Sequence, residues 1–287
     1  MPAAPETAAS PVGPTPEVFL DTSIHIASMK GTREAAKVAS TLRQFKWKGT
    51  SSYAKVEYGN NILSAVTYFR DKLKELGSFE ALRSYVYNRL PGFNKHQIKY
   101  KNWFSNLLSK CHTPDDAEAM ERAELVLDSM WLKGTDAVSD RCDQVRDGTK
   151  CVWADQNSST GNRWIRPKRC NRGRARCNLP EFFVEQTARF HAIRDAIREI
   201  SPERRTQELS NFADIIDAAT GNPEILRDYS ECSRLADAII AVDSDGFLSF
   251  FTQNIGESDV LCAVMGQVLL YLHQDPSDDV ECRDYRK

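Results

Sequence analysis

Short apolar runs that stop abruptly at small polar residues constrain this chain most. Val18-Phe19-Leu20 ends at Asp21-Thr22-Ser23, and Phe247-Leu248-Ser249-Phe250-Phe251 ends at Thr252-Gln253-Asn254. Each reads as a buried strand followed by a polar turn. Phe45–Ser51 is a weaker third strand, interrupted by Lys46 and Lys48. Elsewhere apolar residues recur with a helical period. Helices are predicted from Asp21-Thr22-Ser23 onward, from Lys30 to about Phe45, and after a Ser51-Ser52 cap. More are predicted over Ser78–Tyr87, His96–Leu108, Thr113–Lys133, Pro180–Ile200, Thr206–Ala219, Tyr229–Val242 and Ser258–His273. Thr113 is the expected cap of its helix, Pro114 its first residue and Gly134 its end. Few strands alternating with helices predict an α/β fold, a small parallel sheet covered by helices with a large, mainly helical insertion.

Composition adds mostly exclusions. The chain has 287 residues, 41% of them hydrophobic and 27% charged, enough for a core. Its formal charge is −2, so any case for nucleic acid must rest on local charge. Residues 1–16 are rich in Pro, Ala, Thr and Glu and lack the apolar stretch of a signal peptide; a disordered tail is expected. No run reaches about 18 apolar residues, so no membrane partner is expected. The longest apolar run, Val260–His273, suits a buried helix. A reducing, cytoplasmic compartment follows, in which clustered cysteines point to metal more than to disulfides.

Acidic residues stand at the ends of these elements. Asp21 directly follows a strand, where ligands gather in open α/β sheets. Glu57 lies one turn into the helix after the second strand. Asp237 sits within Leu235-Ala236-Asp237-Ala238-Ile239-Ile240, where a carboxylate near a core needs a partner or a metal. Converging carboxylates would hold Mg²⁺ or Mn²⁺, the apparatus of phosphodiester hydrolysis. Spacing alone leaves the plainer readings open: a helix cap for Asp21 and a solvated face for Glu57.

A second constellation is basic and cysteine-rich. Cys142, Cys151, Cys170 and Cys177 place four of the eight cysteines within 36 residues. Four thiolates on a structural Zn²⁺ would fold a segment that has no core of its own. Buried free thiols and disulfides are the alternatives. Arg141–Asn178 carries ten basic and three acidic side chains. Arg163, Arg166, Lys168, Arg169, Arg172, Arg174 and Arg176, with Trp153 and Trp164 as stacking surfaces, are candidate nucleic-acid contacts. A solvated loop, or one docked on the acidic remainder of the chain, is the alternative.

Four stretches together resemble the PIN-domain nucleases. They are Val18–Ile24 with its strand-end Asp21, Ser51–Tyr58 with Glu57, Leu235–Ile240 with Asp237, and Phe250–Asn254. The resemblance covers about Glu17–Asn60 and Cys232–Val264. It implies a PIN-like core at 17–77 and 229–274, an insertion at 78–228 containing the basic segment 141–178, and a polar tail at 275–287. It also implies a Mg²⁺- or Mn²⁺-dependent ribonuclease, with Asp21, Glu57 and Asp237 as ligands and Thr22 and Thr252 as supporting donors. Asn254 stands where many members carry Asp; it would orient a water or the scissile phosphate, with Glu257 or Asp259 supplying the fourth acid. The resemblance further implies RNA as the favoured partner and a toxin-type effector with an antitoxin or regulatory protein, with self-association also open. A non-catalytic module that binds nucleic acid or protein on the same frame is the alternative function.

Overall fold

A computed structural model of the chain describes residues 17–29, 33–89, 104–105, 108–151, 177–273 and 279–286. Six strands form one sheet in the order β3-β2-β1-β4-β5-β6. They are β1 (Glu17–Leu20), β2 (Trp47–Ser51), β3 (Gln144–Arg146), β4 (Ser249–Thr252), β5 (Val268–Tyr271) and β6 (Glu281–Asp284). The first five are parallel and β6 runs antiparallel to β5. The sheet is larger than the sequence pattern predicts, because β3 and β6 are short, polar edge strands without the apolar signature of a central one.

Strand alternation divides the core in two. Phe19, Phe250 and Leu269 point to one face, where they meet α6 (Leu179–Glu185), α7 (Thr187–Glu199), α8 (Gln207–Gly221) and α10 (Ala236–Asp243). Val18, Leu20, Phe251, Val268 and Leu270 point to the other, under Ile24 and Ala27 of α1 (Thr22–Met29) and Val38 and Leu42 of α2 (Arg33–Leu42). Residues 179–221, read from sequence as part of an insertion, thus pack with α10 on one face of the sheet. Gly49 in β2 lets the Phe247 ring lie on the strand: a Cβ there would meet Phe247 Cζ at 2.2 Å. A separate helical cluster joins Ile62, Val66, Phe69 and Leu73 of α3 (Ser52–Leu76) to Phe79 and Leu82 of α4 (Phe79–Ser84) and Ala123 and Leu127 of α5 (Asp116–Arg141).

Several boundaries differ from the sequence reading. Asp115, not Thr113, caps α5, its Oδ1 accepting from Ala117 N at 2.9 Å, so Pro114 falls outside the helix. Asp is the stronger cap. The helix then runs through Gly134 to Arg141, because the roughly 1 kcal/mol cost of an interior glycine is less than the packing of Val138 and its neighbours returns. The region 180–200 is two helices meeting at Gln186, and 229–242 is two helices, α9 (Tyr229–Arg234) and α10, meeting at Leu235. The apolar run Val260–His273 is not one helix. α11 (Ile255–Met265) stops at Gly266, whose φ of 65° suits glycine, and β5 follows. Most of the helix expected over His96–Leu108 lies outside the described residues. Among the described residues no helix is long and apolar enough to cross a membrane.

Candidate active site

The strand order reverses direction between β1 and β4, and a crevice opens beyond the carboxyl ends of two such strands. Asp21 leaves β1 there and Thr252 ends β4. Thr252 Oγ1 donates to Asp21 Oδ2 at 2.8 Å, and Ser23 Oγ donates to the same oxygen at 2.5 Å. Ser23 N also points at it, at 3.3 Å, so Asp21 is a helix cap as well as an acid at the crevice. Ser23 Oγ accepts from Gln253 N at 2.9 Å, which stitches the two strand ends together. Ser23 is the supporting residue that sequence reasoning missed; its place within Asp21-Thr22-Ser23 was the available signal.

Behind Asp21 a buried histidine braces the strand. Thr50 Oγ1 donates to Leu20 O at 2.8 Å, so His25 Nε2, 3.1 Å from the same hydroxyl, must be the donor of that pair. Burial, aided by Arg141, lowers the His25 pKa to about 3 and keeps the ring neutral.

The other acids arrive on helices. Ser51 caps α3 by accepting from Tyr53 N at 3.0 Å, which sets the helix that carries Glu57. Thr22 Oγ1 donates to Glu57 Oε2 at 2.7 Å. The break at Leu235 starts α10 afresh and puts Asp237 in its first turn, near unpaired N–H groups that favour a carboxylate. Asn254 sits at the cap position of α11, yet its side chain makes no cap bond; its Nδ2 donates to Asp237 Oδ2 at 3.2 Å. Burial, and then the charges of Asp21, Glu57 and Glu257, push the Asp237 pKa well above the usual carboxylate range, against the pull of Asn254. The four acids therefore share one electrostatic neighbourhood. Glu257, in the first turn of α11, is buried beside it.

Glu57, Asp237, Asn254 and Glu257 open on a cleft of about 430 Å³ that Glu208, Asn211 and Arg234 also line. A smaller cavity of about 80 Å³ adjoins it through Glu57 and is walled by Tyr53, Cys151, Cys177 and Cys232. The donor set at the cleft is all hard oxygen, which suits Mg²⁺ or Mn²⁺, and such an ion would neutralise the acidic crowding at Asp237. Among the described residues no three His, Cys, Asp or Glu side chains are gathered closely enough to hold an ion as they stand.

Other candidates go elsewhere. Asp259 is held by Arg283 at 3.0 Å and by the Tyr285 hydroxyl, which leaves Glu257 as the fourth acid at the cleft. Of the cysteines expected around one zinc, Cys142 packs with the cluster on one face of the sheet and Cys177 with the cluster on the other. Burial pushes the Cys142 thiol up to about 12. Cys177 instead shares its cavity with Cys151 and with Cys232, a residue far off in sequence. Cys170 and the candidate nucleic-acid contacts Arg163, Arg166, Lys168, Arg169, Arg172, Arg174 and Arg176 lie outside the described residues. Comparison with protein-family models, with curated proteins and with solved structures found no match, so a functional reading of the chain rests on this geometry and its chemistry.

Proposed function

We propose that the chain is a Mg²⁺- or Mn²⁺-dependent endonuclease of PIN type that hydrolyses phosphodiester bonds, with RNA as the favoured substrate. The observation that supports this reading is that Asp237, beside Glu57 and Glu257 at the cleft, feels the charges of Asp21, Glu57 and Glu257, with Asp21 standing at the point where the strand order reverses. Nucleotide-binding sheets of similar order place a glycine-rich loop after the first strand, so that backbone N–H groups cradle phosphate. Here that turn is Asp21-Thr22-Ser23, which repels a phosphate unless a cation lies between them. When bound, the cation would polarise a phosphate oxygen and make a water a better nucleophile.

The residues divide the remaining work. Asp21, Glu57 and Asp237 would hold the ion, with Glu257 as fourth acid. Thr252 and Ser23 fix one oxygen of Asp21, and Thr22 fixes one of Glu57. Asn254 orients Asp237. A toxin-type role with a protein inhibitor rests on the PIN resemblance alone.

The test is cleavage of a labelled RNA in Mn²⁺. The unmodified chain should cut it, and Asp21→Asn or Asp237→Asn should abolish cutting with an unchanged circular-dichroism spectrum. Full cleavage by purified Asp21→Asn protein would sink the proposal. A second reading, a non-catalytic nucleic-acid- or protein-binding module, is favoured by one feature: no three of the acids stand close enough to form a ready ion site. RNA binding by the unmodified chain without Mn²⁺ uptake would select it.

A further inference from the structure

The acidic cleft carries one side chain whose chemistry is of the other sign. Among the described residues, Arg234 is the single basic one lining the cleft, which it shares with four acids, Glu57, Glu208, Asp237 and Glu257. It ends α9, one residue before the break at Leu235 that starts α10 and presents Asp237. The guanidinium is 47% exposed. Its Nη2 donates to Asn211 Oδ1 at 3.0 Å, and its Nη1 lies 3.5 Å from Glu231 Oε2. The second contact is long, and an exposed pair of this kind holds a side chain only weakly. Asn211 is neutral and itself lines the cleft, so it aims the fork without cancelling its charge. A guanidinium has five N–H donors in a plane, and these two contacts leave the rest of the fork for a ligand.

An arginine in the last turn of a helix also interacts favourably with the helix dipole. That role is met equally by a side chain turned to bulk solvent, and it does not account for one drawn along the wall of an acidic cleft by a neutral amide. The cleft's surplus negative charge poses a problem for a polyanionic substrate. A cation held by the acids would answer part of it. A planar, permanently charged donor fork lining the same cleft answers another part, in a geometry that matches two oxygens of one phosphate.

We infer that Arg234, aimed by Asn211, forms a phosphate-binding subsite that seats a phosphodiester of the substrate strand against the acid cluster. The inference rests on the nuclease reading for its substrate class and identifies how the strand is held. Arg234 is thereby a substrate-contacting residue, and Asn211 a positioning residue that acts through it.

Two readouts on the full chain test this. Binding of a fluorescently labelled single-stranded RNA is followed by anisotropy in Ca²⁺ over a range of salt, and cleavage is followed under single turnover in Mn²⁺. Arg234→Ala should weaken binding roughly tenfold and flatten the dependence of log affinity on log salt by about 0.7, the value for one phosphate contact on a single strand. Arg234→Lys should keep the salt slope while losing part of the affinity, because the charge remains and the fork does not. Asn211→Leu should weaken binding less than Arg234→Ala and leave the slope near that of the unmodified chain. Glu231→Gln, which removes only the long ion pair, should bind at least as well as the unmodified chain. Cleavage by Arg234→Ala should require a higher enzyme concentration to saturate.

Equal affinity and equal salt slope for Arg234→Ala and the unmodified chain overturn the inference, and if cleavage persists they leave the nuclease reading standing. Binding that depends on Arg234 without any cleavage does the reverse: the phosphate subsite holds and the nuclease reading falls. A chain that binds no RNA in Ca²⁺ overturns both.

Discussion

At Asp237 burial and charge oppose ionisation while the start of a helix and Asn254 favour it, and the first pair prevails. Its pKa in the fold lies above that of the unfolded chain. The folded chain therefore binds more protons, and this residue's contribution favours the fold at low pH and is lost as pH rises above the ordinary carboxylate range. Without divalent metal, Asp237→Asn should melt at a higher temperature than the unmodified chain near neutral pH, with the gap closing as the pH falls toward about 4. Mn²⁺ should raise the melting temperature of the unmodified chain and leave that of Asp237→Asn unmoved. A melting temperature lowered by Asp237→Asn under both conditions would mean that the carboxylate is structural. Thr252→Val probes the other end of the cluster, removing a hydroxyl from Asp21 Oδ2 while keeping the shape of the side chain. A hydrogen bond to a charged group suggests a loss of about 2 kcal/mol, measurable as a lower urea midpoint with an unchanged slope. The places of Asp21 and Glu57 near element ends were legible in the sequence because local residues announce those ends; Asp237 stood out only as a carboxylate among apolar residues, since the break that starts α10 is not announced locally. What brings Thr252 to Asp21 is the pairing of β1 with β4, a contact across 231 positions. Arg234 takes its place from the break at Leu235, which is not written in a local pattern.

At the scale of elements, the joint between β2 and α3 is the most exposed to pH. Ser51 caps α3 and donates to Asp243 Oδ2 at 2.5 Å, while Arg146 reaches the Asp243 carbonyl at 2.8 Å. Burial raises the Asp243 pKa to about 6, against the pull of Ser51 and Arg146. The sign is that of Asp237: the contribution is present in full below the unfolded value and is lost as pH rises from about 4 to about 6. A shift of that size corresponds to about 3 kcal/mol at most. Asp243→Asn keeps an acceptor for Ser51, so its stability should vary less between about pH 4 and pH 6 than that of the unmodified chain. Identical pH–stability curves for the two proteins would remove Asp243 from the account. The sequence read most helices and the three apolar strand segments correctly in kind and missed where they divide. The breaks at Gln186 and Leu235 carry neither glycine nor proline, so packing on the sheet, rather than local preference, sets them. Gly266 was a visible stop signal, overridden in the sequence reading by the apolar run around it, although a buried strand and a buried helix look alike over so short a stretch.

At the scale of the molecule, α3 ties two cores together. Tyr53 and Ala54 near its start belong to the core on the sheet, and Tyr58 through Leu73 to the helical cluster with α4 and α5. Glu57 stands at that boundary, so the cleft is placed by both. The basic segment is rooted at the same boundary. Residues 152–176 lie outside the described residues, but both flanks are placed: Cys151 and Cys177 wall the cavity that Glu57 also lines, and Asn178 N donates to Thr149 O at 2.9 Å. The ends of the segment are therefore held together by backbone. Residues 152–176 carry seven basic side chains and one acidic, Asp155, in a chain of net charge −2. Replacing them with a short Gly/Ser linker should leave the melting temperature of the chain nearly unchanged, because closing a shorter loop costs slightly less entropy and no described core residue is removed. RNA affinity should fall, and its salt dependence should flatten by more than the single-contact value expected for Arg234→Ala. The small Mn²⁺-dependent site would remain, so cleavage of saturating RNA should persist at a higher half-saturating concentration. Unchanged affinity after the replacement would assign RNA binding to the cleft wall alone, whereas loss of the folded state would mean that the segment builds part of the core.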